Sequence, residues 1–600
     1  MIVLRRVFGG ALGSTMNRVS GVFLACLIGA SGAALAAPQD KDRGDDRRSG
    51  SSQNIEPDGK ERRNDDERSK RSKRWKDLVD GREVRAMDGS GNNKKHPEWG
   101  STFTQFVRMS GPDYSDGIAA MADPLRKSPR EISNIVIAQG DQSFPNRFGT
   151  SDLLWQWGQF MDHDLTLGDG VLDEGPNGRD FDINVPAGDP FFDPKGEGGK
   201  VIEFNRAIFD PATGVSLGNP REQQNELTAW IDGSMVYGSS DERATALRTL
   251  DGAGTLKTSA DDLLPFNVDN IPNANGPAPD PTKLFLAGDV RSNEQPGLTV
   301  MHTLFVREHN RLARILRKLR PWQTDEEIFQ AARRLVIAEI QIITYEEFLP
   351  ALIGPRTIPR YRGYDPRVDP SIITEFSGAA YRLGHTLINQ RILRVDRRGR
   401  EIPGGHLSLR ASFFAAPSII KTRDDIDPIL RGLASQKSQR FDTKIVDDLR
   451  NFLFGPPGAG GLDLPSLNLQ RGRDRGIPGY NDVRAAMGLK RARDFSDVTS
   501  DPAVQKALYD AYGTVDEVEL WTGGLAEDPL WREGSQMGPL FTKIVAMQFA
   551  RVRDGDRFWH ERDLTRAELA LVKGTTLAKI IRANTDIGPE LQATVFYVKN

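Results

Sequence analysis

Cysteine is almost absent: the 600 residues hold one, Cys26. It lies in an apolar run near the N-terminus, so the chain that follows has neither a disulfide framework nor a thiolate metal site. No Asn-x-Ser/Thr sequon with a permitted middle residue occurs. An exported chain without either feature points to a bacterial rather than an animal source. The net charge is only −3, so no strong field points to nucleic acid or to an anionic membrane. Beyond residue 28 no stretch is long and apolar enough to span a bilayer. Strand-like alternation is rare, and no fixed period recurs.

The N-terminus reads as an export signal. Arg5, Arg6 and Arg18 precede the apolar run from Val22 to Ile28, and Ala34-Leu35-Ala36 has the form of a cleavage site. Residues 1–36 are therefore expected to be a secretory signal, with Met16 as an alternative start, and the mature protein to be secreted or periplasmic. Residues 37–78 are dominated by Asp, Glu, Lys, Arg, Ser and Gly. Such a segment cannot bury enough apolar surface to fold alone and is expected to be a disordered linker. Residues 79–600 are expected to form one large, mainly α domain with long loops and little β structure.

Within it, Leu153, Leu154, Trp157, Phe160 and Met161 recur at helical spacing behind Ser151 and Asp152, both plausible N-caps. The region from Asp169 to Pro220 is rich in Gly, Pro and Asp and reads as loops. A helix is predicted from Leu298 to about Leu319. Thr324 and Glu327 form a capping box that opens a second, through Phe348. Asp369-Pro370 predicts an N-cap and first-turn proline for a third, through about Ile388. Thr565 and Glu568 form another capping box.

Several runs carry polar chemistry. Trp157-Gly158-Gln159-Phe160-Met161-Asp162-His163-Asp164 sets a carboxamide, a histidine and two carboxylates beside an apolar stripe. Gln159 and His163, four apart, share a helix face. Tyr381-Arg382-Leu383-Gly384-His385 pairs a histidine with a glycine that lets a flat group approach the backbone. A neutral imidazole is a common haem ligand. Thr228-Ala229-Trp230-Ile231-Asp232-Gly233-Ser234 offers oxygens at alternate positions, the type of donor calcium takes; taken alone, the run reads first as a half-buried strand with its polar side in water. Arg291-Ser292-Asn293-Glu294 and the run from Asn468 to Asp474 suit either carboxylate recognition or internal ion pairs.

Taken together, WGQFMDHD, REHNRLA (Arg307 to Ala313), YRLGHTLI, LNLQRGRDRGIPGYN (Leu467 to Asn481) and DGDRFW (Asp554 to Trp559) occur in one order. That order resembles the animal-type haem peroxidases of the peroxidase–cyclooxygenase superfamily, from about Arg85 to the C-terminus. The resemblance implies haem b and calcium as cofactors. It makes His163 the distal histidine that moves a proton on hydrogen peroxide, Arg291 the charge beside it, and Gln159 the holder of distal water or halide. His385 becomes the proximal iron ligand, with Asn468 accepting from its other nitrogen. Arg382 and Arg471 would pair with haem propionates, and Asp162 and Glu294 would form ester bonds to haem methyl groups. Asp164, Thr228, Trp230, Asp232 and Ser234 would hold calcium.

Two positions depart from relatives in this superfamily. Gln295 stands where myeloperoxidase has a methionine linked to haem, which favours bromide, iodide, thiocyanate or small aromatic donors over chloride. Arg382 stands three before His385, where fatty-acid oxygenases use a tyrosine; Tyr381 is one residue off. The implied activity is an exported peroxidase. A fatty-acid dioxygenase and a non-catalytic adhesion or matrix protein are the competing readings.

Overall fold

The computed structural model describes residues 82–168, 181–278 and 280–599. The expected signal, Cys26, the linker and the first part of the Asp169–Pro220 loop region lie outside them. β structure among the described residues is confined to three two-residue antiparallel ladders and isolated bridges. Thr104–Gln105 pairs with Gln224–Asn225, Ile183–Asn184 with Val201–Ile202, and Arg391–Ile392 with Leu407–Ser408. Everything else that is regular is helical, as the periodicity predicts.

Helix α1, Leu153–Leu165, runs through the core. Its Trp157, Phe160 and Met161 are fully buried. The Trp157 ring meets Phe160 and Phe305, each at 5.7 Å, and its Nε1 donates to Thr344 Oγ1 at 3.2 Å. The two predicted caps do something else. Asp152 has helical backbone angles and makes no side-chain cap; its Oδ1 instead accepts from Asn389 Nδ2 at 2.8 Å. Ser151 donates to the Val595 carbonyl at 2.5 Å. Long-range anchoring has displaced local capping.

Helix α2 spans Pro296–Leu319 and α3 Asp325–Ile343, and they pack against each other. Helix α2 starts two residues earlier than its apolar stripe suggests. Pro296 fills the first position, and Gln295 caps it by accepting from Gly297 N at 2.7 Å. The α3 capping box is present: Thr324 N donates to Glu327 Oε2 at 2.7 Å, and Glu327 N to Thr324 Oγ1 at 3.2 Å. A π turn, Thr344–Phe348, carries this helix into Leu349–Ile353. The Thr565–Glu568 box opens Arg566–Val572 in the same way.

The helix predicted from Asp369 is corrected. Asp369 forms a local turn, accepting from Ser371 N at 2.9 Å, and the chain stays extended to Ile373. Helix α4 is only Thr374–Gly378. At Ala379 (φ −142°, ψ −68°) the backbone leaves helical angles, and Ala380–Leu387 continues as a 3₁₀ segment. Helices α5, Leu464–Asp474, and α6, Pro539–Asp554, pack against this region.

Buried charge also holds the loops. Arg130, fully buried, donates to Asp189 (2.7 and 3.0 Å), Asp463 (2.7 Å) and the Arg450 carbonyl (3.2 Å). Removing one member of such a cluster strands the other charges, typically at about 3–5 kcal/mol. Among the described residues no helix is long and apolar enough to cross a membrane.

Candidate active site

Three segments and α5 converge on one cavity of about 600 Å³, within the range of cofactor and ligand sites. Helix α1 contributes Gln159, Asp162 and His163; the segment before α2 contributes Arg291, Glu294 and Gln295; the 3₁₀ segment contributes Tyr381, Arg382, Gly384 and His385; and α5 contributes Arg471. Two of the chain's seven histidines therefore line a single space.

His163 is nearly fully buried. Burial, reinforced by the Arg291 charge, holds it well below the ordinary histidine range against the pull of Asp289. A neutral imidazole at working pH is what a proton acceptor requires. Its Nδ1 lies 3.2 Å from Asp289 Oδ1, though off the line of a hydrogen bond; its Nε2 is 3.9 Å from Glu294 Oε2. Asp289 also grips Arg291 from both sides, Nε to Oδ1 at 3.0 Å and Nη2 to Oδ2 at 2.9 Å. Arg291 reaches on to Asp162 Oδ2 at 3.3 Å and the Thr166 carbonyl at 3.1 Å. Its charge keeps the Asp289 carboxyl ionised despite complete burial. Sequence reasoning missed Asp289. A carboxylate two before a buried arginine was the available signal.

Glu294 is raised to about 7 by burial and by the Asp289 and Asp162 charges, against Arg291. Its Oε2 accepts from Gln159 Nε2 at 2.8 Å. Gln159 in turn accepts from Gln295 Nε2 at 3.1 Å, and Gln295 also donates to Gln156 at 2.5 Å. Gln295 thus caps α2 and locks the two glutamines of α1.

The second imidazole sits beside open space. A Cβ placed on Gly384 would touch nothing within 4 Å, so a flat group has room there. Asn468 pairs with His385, its Nδ2 2.8 Å from His385 Nδ1, and the imidazole tautomer sets which of the two side chains donates. Arg382 Nη1 meets the amide oxygen at 3.1 Å. In a 3₁₀ segment residues three apart eclipse one another, so Arg382 and His385 reach the same amide. Arg471 packs over the Phe204 ring at 4.3 Å and pairs with Asp474 at 3.0 Å.

On the far face of α1, Asp164, Thr228, Trp230, Asp232 and Ser234 are all buried. Asp164 accepts from Ser234 Oγ at 2.8 Å and Gly233 N at 3.3 Å; Asp232 accepts from Thr228 Oγ1 at 3.1 Å and Ser234 N at 3.1 Å. These donors are neutral. Burial, then the Asp232 charge, pushes Asp164 well above the carboxylate range. The buried Arg85 and Arg333 charges act on Asp232 from one side, while Asp164 has only neutral hydrogen-bond donors, and the surrounding hydroxyls suit a hard, oxygen-loving ion. The described residues hold no group of three or more His, Cys, Asp or Glu that could bind a metal, so hydroxyl and backbone oxygens would have to complete the shell.

The comparisons with known proteins decide the family. Residues 84–596 match the family model described as animal haem peroxidase. The chain belongs to the animal haem peroxidase family. It is 37% identical to peroxinectin A of Dictyostelium discoideum over 86% of this chain and 96% of that one. It is 35% identical to thyroid peroxidase of Sus scrofa over 84% of this chain and 59% of that one. Against the peroxidasin homolog of Mus musculus the identity is also 35%, and the match spans only 38% of that longer protein. Among solved structures, peroxidase A from Dictyostelium discoideum superposes with a TM-score of 0.79 at 36% identity, covering 86% of this chain and 100% of that one. The fatty acid alpha-dioxygenase of Oryza sativa gives 0.70 at 22% identity over 88% of this chain and 92% of that one, which shows a shared fold. The protein is a haem peroxidase, and the family implies haem as cofactor and hydrogen peroxide with an electron donor as substrates.

Asp289→Asn keeps the shape but removes the charge that fixes both His163 and Arg291. Its reaction with peroxide should slow by about tenfold or more, as for other partners that orient a functional histidine, with the helical circular dichroism unchanged. Stopped-flow mixing with peroxide checks this; an unchanged rate would remove Asp289 from the site.

Proposed function

We propose that the protein is an exported peroxidase that reduces hydrogen peroxide and oxidises bromide, iodide, thiocyanate or small aromatic donors. The observation that carries this reading is the neutral His163 beside the fixed charge of Arg291, on the same cavity as His385. When bound, haem would supply the iron that accepts the oxidising equivalents of peroxide. His163 takes the proton from one peroxide oxygen and returns it to the leaving oxygen. Arg291, held by Asp289, stabilises the negative charge that develops as the O–O bond breaks. His385 would hold the iron through Nε2. That requires a proton on Nδ1 and an acceptor facing it, which a half-turn of the Asn468 amide provides. Arg382 and Arg471 would pair with the propionates, Asp162 and Glu294, which line the cavity, would form the ester bonds, and Gln159 would hold distal water or halide. The export reading rests on the signal-like N-terminus.

A dioxygenase reading draws on the shared fold with the Oryza sativa protein. Arg382 three before His385 speaks against it, and peroxide-independent oxygen uptake with an unsaturated fatty acid would revive it. A purely adhesive role fits poorly with a buried, charge-balanced site that such a role would not need.

His163→Ala should lower peroxide-driven oxidation of iodide and of a phenol by about 10²–10⁴-fold. In Glu294→Gln, which removes the neighbouring carboxyl raised to about 7, the rate should stay flat from neutral pH down past the ordinary histidine range, because burial keeps His163 unprotonated there. Steady-state assays across pH check both; equal rates in His163→Ala and parent would sink the mechanism. Acid–ketone extraction after peroxide treatment should leave haem on the parent and release more of it from Asp162→Asn and Glu294→Gln. Complete extraction from the parent would exclude ester bonds. Calcium is proposed between Asp164 and Asp232. Metal analysis should find it, and a chelator should lower the melting temperature of the parent but not of Asp164→Asn. A metal-free, equally stable parent would remove the site.

A further inference from the structure

One group on the cavity wall has no part in this chemistry. Tyr381 lines the cavity, is only 7% exposed, and its hydroxyl has no hydrogen-bond partner. Its ring packs into an aromatic series. It meets Phe549 at 5.7 Å between centroids. Phe549 meets Tyr345 at 6.1 Å, Tyr345 meets Trp559 at 4.8 Å, and Trp559 meets Tyr361 at 5.9 Å. At the outer end, Trp559 Nε1 donates to Glu561 Oε1 at 3.3 Å, and Glu561 is exposed. A line of rings in contact thus joins the cavity to a surface carboxylate.

Tyrosine and tryptophan are among the side chains most easily oxidised by one electron, and electron transfer through protein weakens steeply with distance. Rings in contact divide a long transfer into short ones; Phe549, which is not itself oxidised, bridges Tyr381 and Tyr345. The Arg553 guanidinium lies 5.9 Å from the Tyr345 ring and 5.7 Å from that of Tyr361, and it is itself paired with Asp554 at 2.7 Å, so charge alone does not choose between the rings. Proton transfer does: the Trp559 N–H points at an exposed carboxylate that can take its proton, which makes Trp559 the ring where oxidation comes to rest.

We propose that this series carries oxidising equivalents out of the haem cavity, and that Trp559 is a second, one-electron oxidation site. It rests on the peroxidase reaction, which supplies the oxidant from hydrogen peroxide. One electron leaves the Trp559 indole and passes through Tyr345 and Tyr381 to the oxidised cofactor, which is reduced by that electron. The indole N–H bond breaks, its proton passes to Glu561 and then to water, and a neutral indolyl radical remains. Trp559 itself is buried, so a phenolic donor docked over Glu561 restores it across a short gap: the donor gives up an electron to the indole and a proton to water, and the indole regains its proton through Glu561. When the cavity holds no donor, this route discharges the equivalents at a site away from His163 and Arg291.

The test uses the haem-loaded full chain, treated with hydrogen peroxide in the presence of a nitroso spin trap and no donor, then digested for peptide mass mapping. Trap adducts or oxygenated products are expected on Trp559 and its neighbour Tyr361. Tyr381→Phe and, independently, Tyr345→Phe should lose most of that label while still oxidising iodide. Glu561→Gln, a surface change, should reduce it as well. Label on Trp559 that is undiminished in both tyrosine variants overturns the relay, as does iodide turnover with no label on Trp559 or Tyr361. A parent that turns over no iodide overturns the peroxidase mechanism and the relay together.

Discussion

The site depends on one buried carboxylate. Asp289 is excluded from water, where an unpaired charge would cost several kcal/mol. It is kept ionised by a two-point contact with Arg291 and by the edge of His163. Each partner gains a fixed position in return. Arg291 cannot swing toward solvent, so its charge stays at the cavity wall. The imidazole turns one nitrogen to Asp289 and the other toward the cavity side, where Glu294 lies. A buried ion pair is weak support for stability in itself. Here its value is positional, because an arginine and a histidine are both held without occupying the space in front of them.

The same economy shapes α1. Successive residues on an α-helix point about 100° apart. Asp162 meets Arg291, His163 meets Asp289, and Asp164 turns away to Ser234 and Gly233. One helical turn therefore serves the cavity edge, its proton-handling group and a separate polar pocket. That pocket also fastens the loop after α1's neighbour: a Cβ on Gly288 would fall 2.3 Å from the Ser234 carbonyl. The backbone that delivers Asp289 and Arg291 is pressed against the segment that binds Asp164, so a change in the packing of one is felt in the other.

Much of this was legible in the sequence, and the exceptions share a cause. Helices whose signals are local appear as the patterns predict: the apolar stripe of α1 and the Thr324–Glu327 and Thr565–Glu568 boxes. The failures are residues whose partners lie far along the chain. Asp152 was available as a cap but is taken by Asn389, 237 residues away. Asp289 drew no notice because a lone aspartate beside glycine reads as turn chemistry; only its contact with α1 reveals its work. Ordered motifs carried the family, and three-dimensional neighbours carried the hydrogen bonds.

The broken helix before His385 shows how a local misfit with prediction can be functional. In one continuous α-helix, Tyr381 and His385, four apart, would stand nearly over each other, and the phenol would project toward the same group as the imidazole. In the 3₁₀ segment that replaces it, each residue turns by about 120°. Arg382 and His385 then share a face and meet at Asn468, while Tyr381 is swung about 120° from His385. It stacks instead on Phe376 at 4.5 Å and leans on Phe549. The kink at Ala379 thereby separates the two aromatic groups of this segment: one is presented to the cofactor space, the other to the protein interior. An oxidisable ring set at the cavity wall but turned into a packed aromatic core is poorly placed to react with a substrate in the cavity. It is well placed to pass an electron through the protein.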